Sequence, residues 1–141
     1  MKKDYLKRVQ ERGQDVNNLF RTLGMRAESI DSNEAVIILP VGEELLQGGD
    51  VLAGGILGTL LDEAMAHAAL AGLDEDQIVA TVDMSVRFFK PVFAGDSLRG
   101  VGRVEHKGKS ILFTQGEVFN AKGETVAKAG ASFMLRRLSP R

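Results

Sequence analysis

Residues 54–71 read GGILGTLLDEAMAHAALA, the longest apolar periodic stretch in the chain, and the rest of the sequence is arranged around it. At 100° per residue, Ile56, Leu57, Leu60, Leu61, Ala64, Met65 and Ala68 share an arc of about 180°, wider than the stripe of a surface helix. This pattern predicts one buried helix lying in a concave sheet. Its other arc carries Asp62 and Glu63. Gly58, Thr59 and Ala66 lie one turn either side of Asp62, so little bulk covers that carboxylate on its own helix. Glu63 has His67 four residues on, the spacing of a charge pair, so His67 reads as structural. Ahead of the helix, QGGDVLAGG over residues 47–55 lets a ligand come close to main-chain N–H groups at the helix start. Uncovered N–H groups there attract partial negative charge, and an acyl carbonyl fits that description.

Working outward, residues 2–23 carry Tyr5, Leu6 and Val9, then Val16, Leu19, Phe20 and Leu23, with Gly13 as the break, and predict a short amphipathic helix or two. Met25 to Ile30 and Ala35 to Val41 flank the turn-rich Asp31, Ser32 and Asn33 and predict a hairpin whose second arm, AVIIL, is apolar enough to be central. After the long helix and the polar loop GLDEDQ, Ile78 to Lys90 alternates strictly. Ile78, Ala80, Val82, Met84, Val86 and Phe88 are expected on one face, and Thr81, Asp83, Ser85 and Arg87 on the other. Pro91 and Ala94-Gly95-Asp96 lead into a Gly-interrupted strand, Ser97 to His106. Lys107-Gly108-Lys109 then turns into Ile111 to Phe119, and Asn120 to Glu124 into Thr125 to Leu135, leaving residues 136–141 as a loose tail. The expected order is helix, hairpin, long helix and a four-strand meander, an α+β antiparallel sheet. One helix covers only one face of such a sheet, so a second copy is expected on the rest.

At 141 residues and 44% hydrophobic, the chain suits a single domain over residues 1–141, with 1–23 as an N-terminal helical segment. A formal net charge of −1 argues against a nucleic-acid partner, since phosphate binding needs a surplus of Lys and Arg. The absence of cysteine excludes disulfides, thiolate catalysis and Cys-bound zinc, and two distant histidines, His67 and His106, give a metal site little support. The charged start MKKDYLKRVQERG lacks the apolar core of a signal peptide, and no stretch suits a membrane span, so a cytoplasmic protein without a membrane partner is expected.

The segments VLAGGILGTLLDEAMAHAAL and ATVDMSVRFFKPVFAGDSLRGVGRVEHKGKSILFTQGEVFNAKGETVAKAGASFML, in this order and at this spacing, resemble the hotdog-fold acyl-CoA thioesterases of the phenylacetate-degradation type over residues 24–135. The resemblance implies a hotdog fold, an antiparallel sheet wrapped around the central helix. That family carries His-Gly-Gly, six residues, then an acidic residue; here Ala53-Gly54-Gly55 stands in place of the first three and Asp62 at the acidic position. By resemblance, Gly54 or Gly55 offers a backbone N–H to the thioester oxygen and Asp62 acts on the carbonyl carbon or on water. Gln47 matches a residue that contacts the thioester or the water, and Thr81 one that orients water. The site is implied to form across a homodimer, or within a tetramer of such dimers.

Thioester hydrolysis needs an activated water or a nucleophile and a group that stabilises charge on the carbonyl oxygen. Asp62 suits either of the first two roles, and the helix-start N–H groups suit the third. Ala53, Leu61 and Ala66 are expected to border the acyl pocket, and Arg87, Lys90, Lys107 and Lys109 to meet CoA phosphates. No metal or separate cofactor is expected, CoA being part of the substrate. The alternatives are a non-catalytic acyl-CoA-binding protein, in which Ala53 marks lost turnover, and a hydratase or dehydratase, which requires His67 to point into the pocket.

Overall fold

The computed structural model describes residues 2–138. The N-terminal segment forms α1 (Lys2–Val16) and α2 (Asn18–Leu23); α1 kinks at Arg12, beside the break expected at Gly13. The hairpin β1 (Arg26–Ile30) and β2 (Glu34–Pro40) follows, then a 3-10 turn over Glu43–Leu45 and the long helix α3 (Gly54–Ala71). Four strands complete the chain: β3 (Gln77–Phe88), β4 (Ser97–Lys107), β5 (Ile111–Phe119) and β6 (Thr125–Arg137). The result is an α+β hotdog arrangement, one six-stranded antiparallel sheet around one helix. No helix among the described residues is long and apolar enough to cross a membrane.

The helix docks through its apolar arc. Leu57, Leu60, Leu61, Ala64 and Met65 are buried, and each of the larger side chains contributes about 2 kcal/mol by leaving water. The sheet makes room with glycine. A Cβ on Gly102 would lie 2.3 Å from the Ala64 carbonyl carbon, and one on Gly116 would lie 3.0 Å from Leu61 Cδ2, so the helix backbone rests almost directly on β4.

The strand order is β1-β2-β4-β5-β6-β3, which corrects the expected meander: β4, β5 and β6 follow one another, but β3 pairs with β6. β2 is buried on both faces and requires a neighbour on each side. β1 supplies one and β4 the other, in register from Glu34↔Arg103 to Pro40↔Ser97. The β3–β4 link contains Pro91 and is no tight hairpin; it is pinned instead by Leu52 N–H to the Val92 carbonyl (2.8 Å) and Gly95 N–H to the Val41 carbonyl (2.8 Å). β3 is thereby left at the sheet edge.

A second correction concerns the faces of β3. Thr81 pairs with Phe133 and Asp83 with Ser132, so Val82 is an extra residue, a β-bulge. The bulge reverses the alternation. Before it, Val79 and Thr81 face the helix; after it, Met84, Val86 and Phe88 do, while Asp83 faces outward and accepts a hydrogen bond from Ser132 Oγ (2.5 Å). A third concerns the tail: Arg136 and Arg137 continue β6 opposite Ile78 and Gln77, with Arg137 bonded to Asp76 (2.7 Å). Residues 139–141 of the expected loose tail lie outside the described residues.

Candidate active site

Asp62 sits mid-helix, half-buried, on the arc that does not face the core. Its Oδ1 accepts a hydrogen bond from Thr81 Oγ1 at 2.8 Å, a contact that exists because the Val82 bulge turns Thr81 toward α3. Asp62 borders a trough of about 390 Å³ that is also lined by Gly54, Gly55, Gly58, Thr59, Met84, Val86 and Phe88. Glycine keeps its floor low: a Cβ on Gly55 would meet nothing within 4 Å, and Phe88 lies against Gly54. At Gly54 and Phe88 the trough opens onto a second depression of about 270 Å³, bordered by Leu57, Phe89, Lys90 and Pro91.

At the trough's end α3 begins without a side-chain cap, since Ala53 supplies none. The N–H groups of Gly54 and Gly55 therefore have no intrahelical acceptor and point out of the helix start. Thr59 ties itself back to the Gly55 carbonyl (2.9 Å), leaving those donors clear. A carboxylate, two unengaged amides and an apolar wall are the kinds of group that bind and activate an acyl carbonyl.

The neighbouring carboxyl, Glu63, is placed quite differently. Its side chain is 20% exposed and lies 3.4 Å from His67 Nδ1. Burial, and secondarily the charge of Asp62, pushes its pKa up to about 7. His67 is buried on the side of α3 that meets the N-terminal segment: Nδ1 contacts the Glu63 carbonyl (2.7 Å), Nε2 meets the Tyr5 hydroxyl (2.9 Å), and the ring packs on Tyr5 and Phe20. Burial lowers its pKa, and the ring does not line the trough, which removes the support a hydratase needs.

The other expected residues divide. Gln47 is exposed in a turn closed by its own N–H to the Val51 carbonyl (2.9 Å). Ala53 is half-buried at the helix start, and Ala66 half-buried against the core. Leu61 is not a pocket residue: it is fully buried against Gly116, on the sheet side of α3. Lys90 stands at the end of the second depression, bonded to Glu124 (2.6 Å). Arg87 follows the bulge onto the outer face, opposite Lys128. Lys107 reaches the Gly72 carbonyl (3.4 Å) at the C-terminal end of α3, about 27 Å of helix from Gly54, and Lys109 lies just beyond it in the β4–β5 turn. Neither lysine lines the trough. The sequence marks Tyr5 only as a residue of an amphipathic helix and Asn17 not at all, because nothing local marks the Tyr5 partner His67, 62 residues away. Among the described residues no three His, Asp or Glu side chains gather as a metal site.

The thioesterase superfamily model matches residues 49–127, more than half of the chain and the stretch that contains the helix start, Asp62 and Thr81. The chain belongs to the thioesterase superfamily. This thioesterase is 34% identical over 108 residues to the acyl-coenzyme A thioesterase PaaI of Escherichia coli, covering 76% of this chain and 74% of that protein. The structure of E. coli PaaI superposes with a TM-score of 0.82 at 25% identity, covering 96% of this chain and 95% of the other. A phenylacetic acid degradation-related protein from Ralstonia eutropha gives a TM-score of 0.82 at 27% identity, covering 92% and 98%. The resemblance drawn from the sequence therefore holds: the protein is a hotdog thioester hydrolase of the PaaI-like type.

Proposed function

We propose that this thioesterase hydrolyses an acyl- or aroyl-CoA to the free acid and CoA, with Asp62 as general base or nucleophile and the Gly54 and Gly55 N–H groups polarising the thioester carbonyl. The observation that carries the reading is the Thr81-held Asp62 carboxylate, open to an apolar trough that ends at an uncapped helix start. Thr81 fixes one carboxylate oxygen and leaves the other for water or the carbonyl carbon. Each N–H directed at the developing oxyanion supplies about 3 kcal/mol. No metal or separate cofactor is needed for these steps, and Lys90 lies on the route along which the CoA arm would leave the trough.

Helix geometry supports a site shared between two copies. Asp62 is seven and eight residues from Gly55 and Gly54, about 10–12 Å along the helix. One carbonyl needs donor and carboxylate each within about 3 Å, so a single copy of α3 does not serve both. The free edge of β3, with Val82 and Phe88 exposed beside it, supports a homodimer in which one subunit's helix start faces the other's Asp62.

The test is thiol release from short, medium, long and aromatic acyl-CoAs, with wild type and Asp62→Asn side by side. Turnover lost in the variant, with folding and dimer intact, is the expected result. CoA esters bound but never cleaved by wild type would instead identify a binding protein.

A further inference from the structure

A chain of polar contacts, half-buried at Asn17 and Tyr5 and buried at His67, links the N-terminal segment to the turn of α3 that bears Asp62, and its direction follows from which atoms can only donate and which can only accept. Asn17 caps α2: its Oδ1 accepts from the N–H groups of Leu19 (3.0 Å) and Phe20 (3.1 Å). Its amide nitrogen is therefore the atom that meets the Tyr5 hydroxyl (2.9 Å), and an amide nitrogen only donates. The Tyr5 oxygen accepts there and keeps one proton to donate, and the far side of His67 decides where that proton goes. The Glu63 carbonyl only accepts, so the proton of a neutral ring sits on Nδ1 and is donated there (2.7 Å); Nε2 is bare, and the Tyr5 proton goes to it (2.9 Å). The lowered pKa of the buried ring agrees with a neutral imidazole.

We propose that Asn17, Tyr5 and His67 are positioning residues for Asp62: their one-way hydrogen-bond chain clamps the Asp62–Glu63 turn from the side opposite Thr81. The role rests on Asp62 being the catalytic carboxylate. Thr81 holds the side chain from β3, and the chain holds the backbone that carries it from α1 and α2, so the carboxylate is fixed from both sides of the helix. Asn17 and Tyr5 then act on the site although neither touches the trough.

The decisive variant is Asn17→Asp. A carboxylate keeps the cap on α2 but accepts from Tyr5 rather than donating to it. Tyr5 then turns its proton away, and His67 must protonate Nε2 to keep a bond. Imidazole 15N NMR of the full-length protein reads this directly, with exposed His106 as the internal reference: Nε2 is bare in wild type and protonated in the variant. Steady-state assays on the best acyl-CoA of the panel are expected to show kcat down about tenfold with KM within about twofold, the signature of a displaced reacting group. Tyr5→Phe, which breaks the link without leaving a cavity, lowers kcat by a similar factor, and the double variant is no worse than either single one. Val9→Ala, which loosens α1 without touching the chain, leaves kcat unchanged.

Protonated Nε2 in wild type would overturn the direction of the chain. A switched His67 with full kcat, or an equal loss in Val9→Ala, would overturn the positioning role alone. Wild type inert toward every thioester would overturn the functional reading, and this role with it, whatever state His67 shows.

Discussion

Asp62 and Glu63 are adjacent carboxyls on one helix, and a rotation of 100° gives them opposite surroundings. Asp62 faces a trough walled by Met84, Val86 and Phe88 and is held by a neutral hydroxyl from β3. Glu63 turns toward the N-terminal segment, is largely buried beside an imidazole, and retains its proton up to about pH 7. Burial penalises charge on Glu63, and the charge of Asp62 adds to the penalty, so the pair is suited to carry one negative charge. Chemistry at this helix is thus decided by what packs around each carboxyl rather than by the residue type.

Replacing each carboxyl by its amide is the strongest way to break that contrast. Asp62→Asn is expected to cost about a thousandfold or more in kcat/KM, roughly 4 kcal/mol of transition-state stabilisation, with the melting temperature almost unchanged. Glu63→Gln should keep kcat within a few-fold, because His67 bonds to the Glu63 main-chain carbonyl. Equal losses in the two variants would show that the division of roles is mistaken.

The core-facing arc of α3 provides the next contrast. Gly102→Ala places a methyl group 2.3 Å from the Ala64 backbone and should cost about 3 kcal/mol in denaturant unfolding. The turnover per folded molecule should be nearly unaffected. An unchanged unfolding midpoint would mean that the helix does not rest on β4 as described.

Glu63 also sets a pH dependence. Its proton leaves near 4.5 in the unfolded chain and near 7 in the folded one, so between these values the folded state binds more protons. Stability should therefore fall as pH rises through this window, by at most about 3 kcal/mol, and level off above it. Melting curves at pH 4.5 to 8 should show this slope in wild type and not in Glu63→Gln; identical slopes would contradict the buried placement.

The smallest effect is expected at Thr81→Val, which keeps the shape and removes the donor to Asp62. A loss of about 1–2 kcal/mol in kcat/KM corresponds to a roughly five- to thirtyfold decrease. An unchanged rate would show that Asp62 is positioned without it.

Much of this was legible from the residues in order. The helix over Gly54–Ala71 is found at the predicted bounds, because its apolar spacing and its glycine-rich start are local signals. The separate surroundings of Asp62 and Glu63 were foreshadowed by the small residues one turn from the first and by His67 one turn from the second. Thr81 was named through resemblance even though plain alternation placed it on the wrong face. A bulge carries no local mark, since Val82 fits the alternating pattern; only pairing against Phe133 and Ser132 reveals the extra residue.

The sequence by itself determined where the helix and strands lie, which face of the helix is apolar, and which carboxylate is uncovered, since each depends on neighbours within a few positions. The tertiary structure alone decided that β3 lies beside β6, that Thr81 turns toward Asp62, that Leu61 belongs to the core, and that Asn17 reaches Tyr5 and Tyr5 reaches His67. Those outcomes follow from how distant segments share neighbours once β2 is satisfied on both sides. Such competition for partners leaves no trace in local periodicity.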